Sequence, residues 1–332
     1  MSQQEERAWR TRAPVTYALI AANTLIFLAT AASSPQGFMA ALENMDSLTL
    51  LHWGAKYGPL IWEGEYWRLA AAMFLHGGIL HLAFNMYALL ALGPPVEQLY
   101  GKARFLLIYL AAGIAGNAAS LAFNQGLSIG ASGAIFGLFG ALLYVARRVG
   151  GQAGRQLWGQ LLLPLIINLA YGLFNPVIDM YAHLGGLAGG AAMAYVASPP
   201  AVVVQLWSGS AGEARRARRV GWLWRAVVAL ALAAAVAAAA LHPHGWYGDL
   251  QRGNRLYVQG RYAAAAKAYQ SALDQRPDLP SGYCLAYYNQ AMAYLKLGQP
   301  EQAKQNLEKV VQIDPGFDGA QILLNQLRTA SR

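Results

Sequence analysis

Ser132 stands in Gly130-Ala131-Ser132-Gly133-Ala134-Ile135-Phe136-Gly137, where a glycine-flanked hydroxyl opens a long apolar run. Gly130 and Gly133 carry no Cβ, so backbone can pass close to the serine oxygen without crowding it. A helix starting here would set unpaired N–H groups and the positive end of its dipole beside that oxygen, which suits a developing oxyanion. The chemistry this points to is nucleophilic attack on a carbonyl. The same spacing of small residues also describes a packing surface between membrane helices. The serine therefore needs partners from elsewhere in the chain.

A serine nucleophile needs a base. His183, in Tyr181-Ala182-His183-Leu184-Gly185-Gly186, lies near the start of another apolar run. An ionisable side chain in such a run is costly to strand in lipid, so it marks a functional site by default. The alternative is a packed histidine bonded to a backbone carbonyl. A third polar cluster is His76-Gly77-Gly78-Ile79-Leu80-His81-Leu82-Ala83-Phe84-Asn85. His81 and Asn85 are four apart and share one helical face. An imidazole N–H and a side-chain amide are suitable donors to an oxyanion.

The elements that must position these groups are membrane helices. The chain has 332 residues, 56% hydrophobic and only 12% charged, against about 25% charged in soluble domains. Its apolar residues are gathered in runs near the ~20 residues needed to span a bilayer. The first, Val15 to about Ala32, follows Arg7, Arg10 and Arg12 in the manner of a signal peptide. The later runs favour a retained first helix. These fall at about 70–93, 103–123, 132–146, 157–174, 178–197 and 220–241, making seven spans. Between the first two, Trp53, Tyr57, Trp62, Tyr66 and Trp67 suggest a segment lying at the headgroup level.

A cytoplasmic N-terminus puts twelve Lys and Arg residues of the termini and loops of the membrane region inside and leaves only Lys56 and Arg68 in the outer loops, as the positive-inside rule demands. The charge run Glu213 to Arg219 then reads as a cytoplasmic anchor, and this distribution of the +9 net charge argues against a nucleic-acid partner. In this topology Ser132, His183 and the His81–Asn85 pair all lie in the outer half of their spans. His183 sits about 8 Å below the face at ~1.5 Å per residue. Gly185, Gly186, Gly189 and Gly190 would let the sixth span press against the fourth.

After His242 charges return and the apolar spacing becomes that of soluble helices. Gly253, Gly260, Ala265, Tyr269, Ala272 and Pro277 are matched in spacing by a second copy ending in Ala303, Leu307 and Pro315. This resembles the tetratricopeptide repeat, a helix–turn–helix unit of about 34 residues. The segment Gly319 to Leu327 would cap the stack. Cys284 is the single cysteine and excludes an intramolecular disulfide.

Gly-Ala-Ser-Gly, His-x4-His-x3-Asn and Ala-His-Leu-Gly-Gly, in this order and topology, resemble the rhomboid family of intramembrane serine proteases. Tyr66-Trp67-Arg68 is similar to that family's Trp-Arg motif in the first external loop. The resemblance covers about Thr16 to Ser198. It implies Ser132 as nucleophile, His183 as base in a dyad without aspartate, and His81, Asn85 and the Ser132 N–H as oxyanion donors. It also implies that Phe136 packs its ring on the histidine, where relatives often have Tyr. Trp67, Arg68, His76 and Glu97 would be structural.

The expected architecture is all-α. A cytoplasmic segment (1–14) leads into a six-helix rhomboid core (15–198), a basic linker (199–219) and a seventh transmembrane helix (220–242). An extracytoplasmic tetratricopeptide-like domain (245–332) follows. The expected reaction, without cofactor or metal, is cleavage of transmembrane protein substrates in the bilayer, with a peptide or protein partner for the tail. Alanine-, glycine- and arginine-rich usage points to a bacterial inner membrane. Two alternatives are a proteolytically inactive rhomboid-like client-binding protein and a membrane-tethered scaffold. Metalloprotease chemistry lacks His-Glu-x-x-His, and an aspartyl mechanism lacks a second carboxylate beside Asp179, which reads as a helix cap.

Overall fold

The computed structural model describes residues 13–175, 178–197, 213–275, 277 and 280–330. Arg7, Arg10, Arg12 and most of the basic linker lie outside the described residues, as do the side chains of Arg215 to Arg219. The described residues divide into two units, 1–241 and 242–332. Both are helical, with one isolated β-bridge between Lys56 and Ser128.

The first unit begins with α1 (Pro14–Ser33) and continues into short helices α2 (Phe38–Glu43), α3 (Ser47–His52), α4 (Gly58–Trp62) and α5 (Arg68–Ala71), the last running on as a 3-10 turn, Ala72–Phe74. The long helices follow: α6 (Ile79–Tyr100), α7 (Lys102–Phe123), α8 (Ser132–Val149), α9 (Gly151–Phe174), α10 (Met180–Ala197) and α11 (Glu213–Leu241). Among the described residues, α1, α6, α7, α8 and α9 are each long and apolar enough to cross a membrane. This is an integral membrane protein.

Both ends of the second span differ from the sequence expectation, and α9 and α11 begin at Gly151 and Glu213, ahead of the expected 157 and 220. The second span begins at Ile79, not near residue 70, because the chain breaks after the 3-10 turn and repacks through Gly77 and Gly78. A Cβ on Gly78 would lie 2.4 Å from the Glu43 carbonyl oxygen, so the break is wedged against the end of α2. At its other end α6 runs through Pro94 and Pro95 to Tyr100 instead of stopping at 93. That extension carries Glu97, which is 2% exposed. Its carboxylate accepts from Val15 N–H at 3.0 Å and from Thr16 N–H and Oγ1, both at 2.8 Å. A carboxylate on the open N–H groups of α1 meets the positive end of that helix dipole. Glu97 thus ties the end of α6 to the start of α1.

The helix that carries His183 sits in the middle. α10 packs against both α7 and α8 and is not among the five helices apolar enough to span alone. A helix covered by protein on two sides can spend its surface on small residues instead of lipid-facing ones. The glycines divide between the two neighbours. Cβ atoms on Gly186 and Gly190 would fall 2.0 Å from the Gly133 oxygen and 2.1 Å from the Gly137 oxygen of α8. Those on Gly185 and Gly189 would strike the Ala119 and Ala115 side chains of α7, at 2.3 and 2.6 Å. Only half of the glycines therefore serve the contact with α8 that the sequence suggests. α11 packs on α7 and α10, and near its end Ala240 joins Ile61, Leu69 and Leu121 in a small buried cluster, with the Trp62 indole N–H bonded to Ala239 O at 3.0 Å.

The second unit is built from α12 (Gly245–Val258), α13 (Tyr262–Asp274), α14 (Pro280–Lys296), α15 (Pro300–Ile313) and α16 (Asp318–Ala330). Neighbouring helices pack in chain order, as hairpins stack in a solenoid. Corresponding positions of the two copies are buried alike: Ala265 with Ala303, Tyr269 with Leu307, Ala272 with Val310. Gly260 and Gly298 hold φ of +75° and +70° in the turn of each hairpin, where only glycine is unstrained. α16 covers the last hairpin by burying Ala320 and Leu324.

Candidate active site

Ser132 is the first residue of α8 and half-buried, with Ala131 before it wholly buried. Its own N–H is one of the helix's first donors, which have no intrahelical acceptor. The approach to it is a braced loop. Gly130 has φ +118° and donates its N–H to Ala72 O at 2.9 Å, so the 3-10 turn ahead of α6 holds the residue two before the serine. That turn is itself seated on α7: Met73 fills the space where Gly113 lacks a side chain.

His81 meets this loop from α6. A Cβ on Gly130 would lie 2.9 Å from His81 Nε2 and 3.7 Å from Ser132 Oγ, so imidazole and hydroxyl border the same small space. The Gly77 N–H points at His81 Nδ1 at 3.4 Å. A neutral imidazole that accepts at Nδ1 carries its proton on Nε2. The nitrogen beside Ser132 is thus an N–H donor. Asn85, one turn on along the same face, is 6% exposed and gives one amide hydrogen to His81 O at 2.9 Å. His76 is buried and stands edge-on to His81, ring centroids 5.1 Å apart.

His183 reaches α8 from α10. Its ring stacks on Phe136, centroids 4.1 Å apart and planes 14° from parallel. Phe136 follows Ser132 by four residues, one turn along the same face, so the imidazole rests on the flank of the helix that begins at the serine. Close approach is permitted because Gly133 faces the Ala182 carbonyl, 3.3 Å from where its Cβ would be. His183 Nδ1 is buried without a hydrogen-bond partner, and among the described residues no hydrogen bond joins His183 to Ser132 Oγ.

Asp179 is the cap the sequence suggests. It precedes α10, accepts from Ala182 N–H at 3.0 Å, and receives a short hydrogen bond from the buried Ser120 hydroxyl of α7. The start of the His183 helix is thereby tied to a second helix. Arg68 is 5% exposed. It forms an ion pair with Glu65 at 2.6 Å, donates to the Leu51 and Ala55 carbonyls at 2.6 and 3.2 Å, and lies over the Trp67 ring. Trp67 and Arg68 thus hold the first loop together and do not enter the serine's surroundings. Gly54 is flush against the Trp67 ring, 2.2 Å from where its Cβ would be.

In the sequence Lys56 stands out only as an external positive charge. It is wholly buried and bonded to the loop that leads to Ser132. No motif marks it, because its partners are backbone carbonyls.

A helical membrane bundle that gathers a serine and two histidines from three separate helices defines a class of membrane protein with a buried polar site. Comparison with known proteins specifies it further. Residues 63–200 match the rhomboid domain and residues 284–317 the tetratricopeptide repeat. The chain thus carries a rhomboid domain followed by a tetratricopeptide region. It is similar to the rhomboid protease GluP of Bacillus subtilis, 46% identical over 156 residues, which are 44% of this chain and 28% of that protein. It is similar to the putative rhomboid protease YdcA of the same organism, 45% identical over 85 residues, 25% of this chain and 43% of that one. A third relative is rhomboid-like protease 1 of Toxoplasma gondii, 43% identical over 93 residues, 27% of this chain and 32% of that one. The chain spans less than half the length of each of these relatives.

Proposed function

We propose that the protein is an intramembrane serine endopeptidase that cuts the transmembrane segments of other membrane proteins. The observation that carries this reading is the convergence on one end of α8. His81 Nε2 and Ser132 Oγ border Gly130, and His183 stacks on Phe136 one turn further along. In the proposed reaction Ser132 Oγ attacks the scissile carbonyl carbon and His183 takes its proton. The resulting oxyanion accepts hydrogen bonds from the Ser132 N–H and His81 Nε2–H, with the second Asn85 amide hydrogen available to it. Collapse breaks the C–N bond, and His183 returns the proton to the leaving amine. A water, deprotonated by His183, then attacks the acyl carbon, and the serine leaves with that proton. No cofactor or metal takes part. The substrate helix must unwind to present its carbonyl, which favours small or helix-weakening residues near the cut.

The charge asymmetry of the sequence supports an N-terminus in the cytoplasm and a tail outside it, in a bacterial inner membrane. On that orientation the site opens outward and the tail meets extracytoplasmic peptides or proteins.

The test uses the full-length protein in proteoliposomes with a single-span model substrate. The wild type cleaves and is labelled by a fluorophosphonate. Ser132→Ala abolishes both, and His183→Ala lowers cleavage by about 10³-fold or more, as loss of a dyad member does. A wild type that retains substrate in pull-down but never cuts it, while resisting the fluorophosphonate, would replace the enzyme with a client-binding protein.

A further inference from the structure

Lys56 lies ahead of residues 63–200 and is 0% exposed. Lysines are almost never fully buried unless their charge is paired. Its Nζ donates to Asn124 O at 2.6 Å and to Gly126 O at 2.8 Å. Asn124 is the C-cap of α7, so the ammonium sits where the last helical carbonyls lack donors and the dipole is negative. The Gly126 N–H bonds Asn124 Oδ1 at 3.0 Å and closes the turn that brings both carbonyls to one cation. Backbone bonds continue the clasp. Lys56 N–H meets Ser128 O at 3.0 Å, Ser128 N–H meets Lys56 O at 2.9 Å, and Gly58 N–H meets Gln125 O at 2.9 Å. The clasped segment runs from α7 directly to Gly130 and Ser132.

We propose that Lys56 is a positioning residue for Ser132. Its ammonium sets the path of residues 124–130, and through Gly130 the placement of Ser132 Oγ against His81 Nε2. This rests on the reading of Ser132 as nucleophile. Without the cation the buried Gly126 carbonyl and the half-buried Asn124 carbonyl lose their donor, and the turn relaxes toward other partners. The backbone bonds to Ser128, Gln125 and Ala72 survive, so the loop stays folded while its register at the serine shifts. A displacement of about 1 Å costs on the order of 10²-fold in rate.

The experiment compares full-length wild type, Ser132→Ala, Lys56→Met, Lys56→Arg and Asn124→Ala in proteoliposomes. It reads kcat and KM on the single-span substrate, the rate of fluorophosphonate labelling, and the thermal unfolding midpoint. Lys56→Met is expected to lose about 10²-fold in kcat and in labelling, with KM and the midpoint little changed. Lys56→Arg restores most of the loss, because a guanidinium can serve two carbonyls. Asn124→Ala opens the turn with Lys56 in place and lowers kcat in the same direction, by less. A folded Lys56→Met that cuts and labels at the wild-type rate overturns the proposal. So does a loss confined to KM. If Lys56→Met fails to fold, Asn124→Ala decides: a reduced kcat at unchanged KM upholds the proposal, and wild-type kcat overturns it. A wild type indistinguishable from Ser132→Ala instead defeats the nucleophile reading itself.

Discussion

At the scale of single residues, Gly130 is the most exposed to test. Its φ of +118° is a conformation that L side chains rarely adopt, and any Cβ there would crowd His81 Nε2 at 2.9 Å. Gly130→Ala is expected to push the imidazole out of the space it shares with Ser132 and so remove a donor to the oxyanion. Loss of one such donor costs about 10²–10³ in kcat. The check is kcat on the single-span substrate at unchanged KM, and a variant within twofold of wild type would deny His81 that role. Phe136, Gly130 and Gly133 were legible as neighbours of the serine, because adjacency in sequence is adjacency in space along a helix. The protonation of His81 was not. It depends on the Gly77 N–H reaching Nδ1, a contact that exists only once the chain turns back before α6. His183 on Phe136 was expected from resemblance alone, and the 4.1 Å stacking gives that expectation its geometry.

At the scale of elements, the seam between α8 and α10 decides whether Ser132 and His183 can face one another. Gly190→Ala is a gain in helix propensity of about 1 kcal/mol, yet its new methyl would lie 2.1 Å from the Gly137 oxygen and 2.3 Å from its Cα. Overpacking of that kind costs about 1–3 kcal/mol, and backbone cannot rotate aside as a side chain can. The steric term wins. The variant should unfold at a lower temperature than wild type and lose activity, whereas Gly159→Ala, with open space around it on α9, should be neutral or stabilising. Equal midpoints for the two variants would refute the seam. The glycine pattern itself was readable in the sequence, but its division between α7 and α8 was not. Residues one apart on a helix point about 100° apart, and which neighbour each meets depends on where both helices stand. The start of α6 shows the same limit: an apolar run from residue 70 reads as one span, and only the wedge of Gly78 against α2 reveals two elements.

At the scale of the whole molecule, the chain is two folded units with separate cores. A chain ending at Leu241 keeps the Trp62–Ala239 bond and the cluster around Ala240. It should therefore retain its folding and, on the proposed function, cleave a short single-span substrate. If it also cleaves every natural substrate at the full rate, the tail has no recruiting role; selective loss of some substrates would assign it one. What the sequence determined unaided is what depends on local spacing and composition. Runs of apolar residues demand membrane helices, the offset copies of small and large residues demand stacked hairpins, and Gly-Ala-Ser-Gly sets its hydroxyl at a helix start. Those properties follow from side chains within a turn or two of each other. Which distant residues complete the site was decided only in three dimensions. Lys56 shows why: it is bound by backbone carbonyls 68 and 70 residues away, and carbonyls are present at every position, so no choice of amino acid could advertise them in advance.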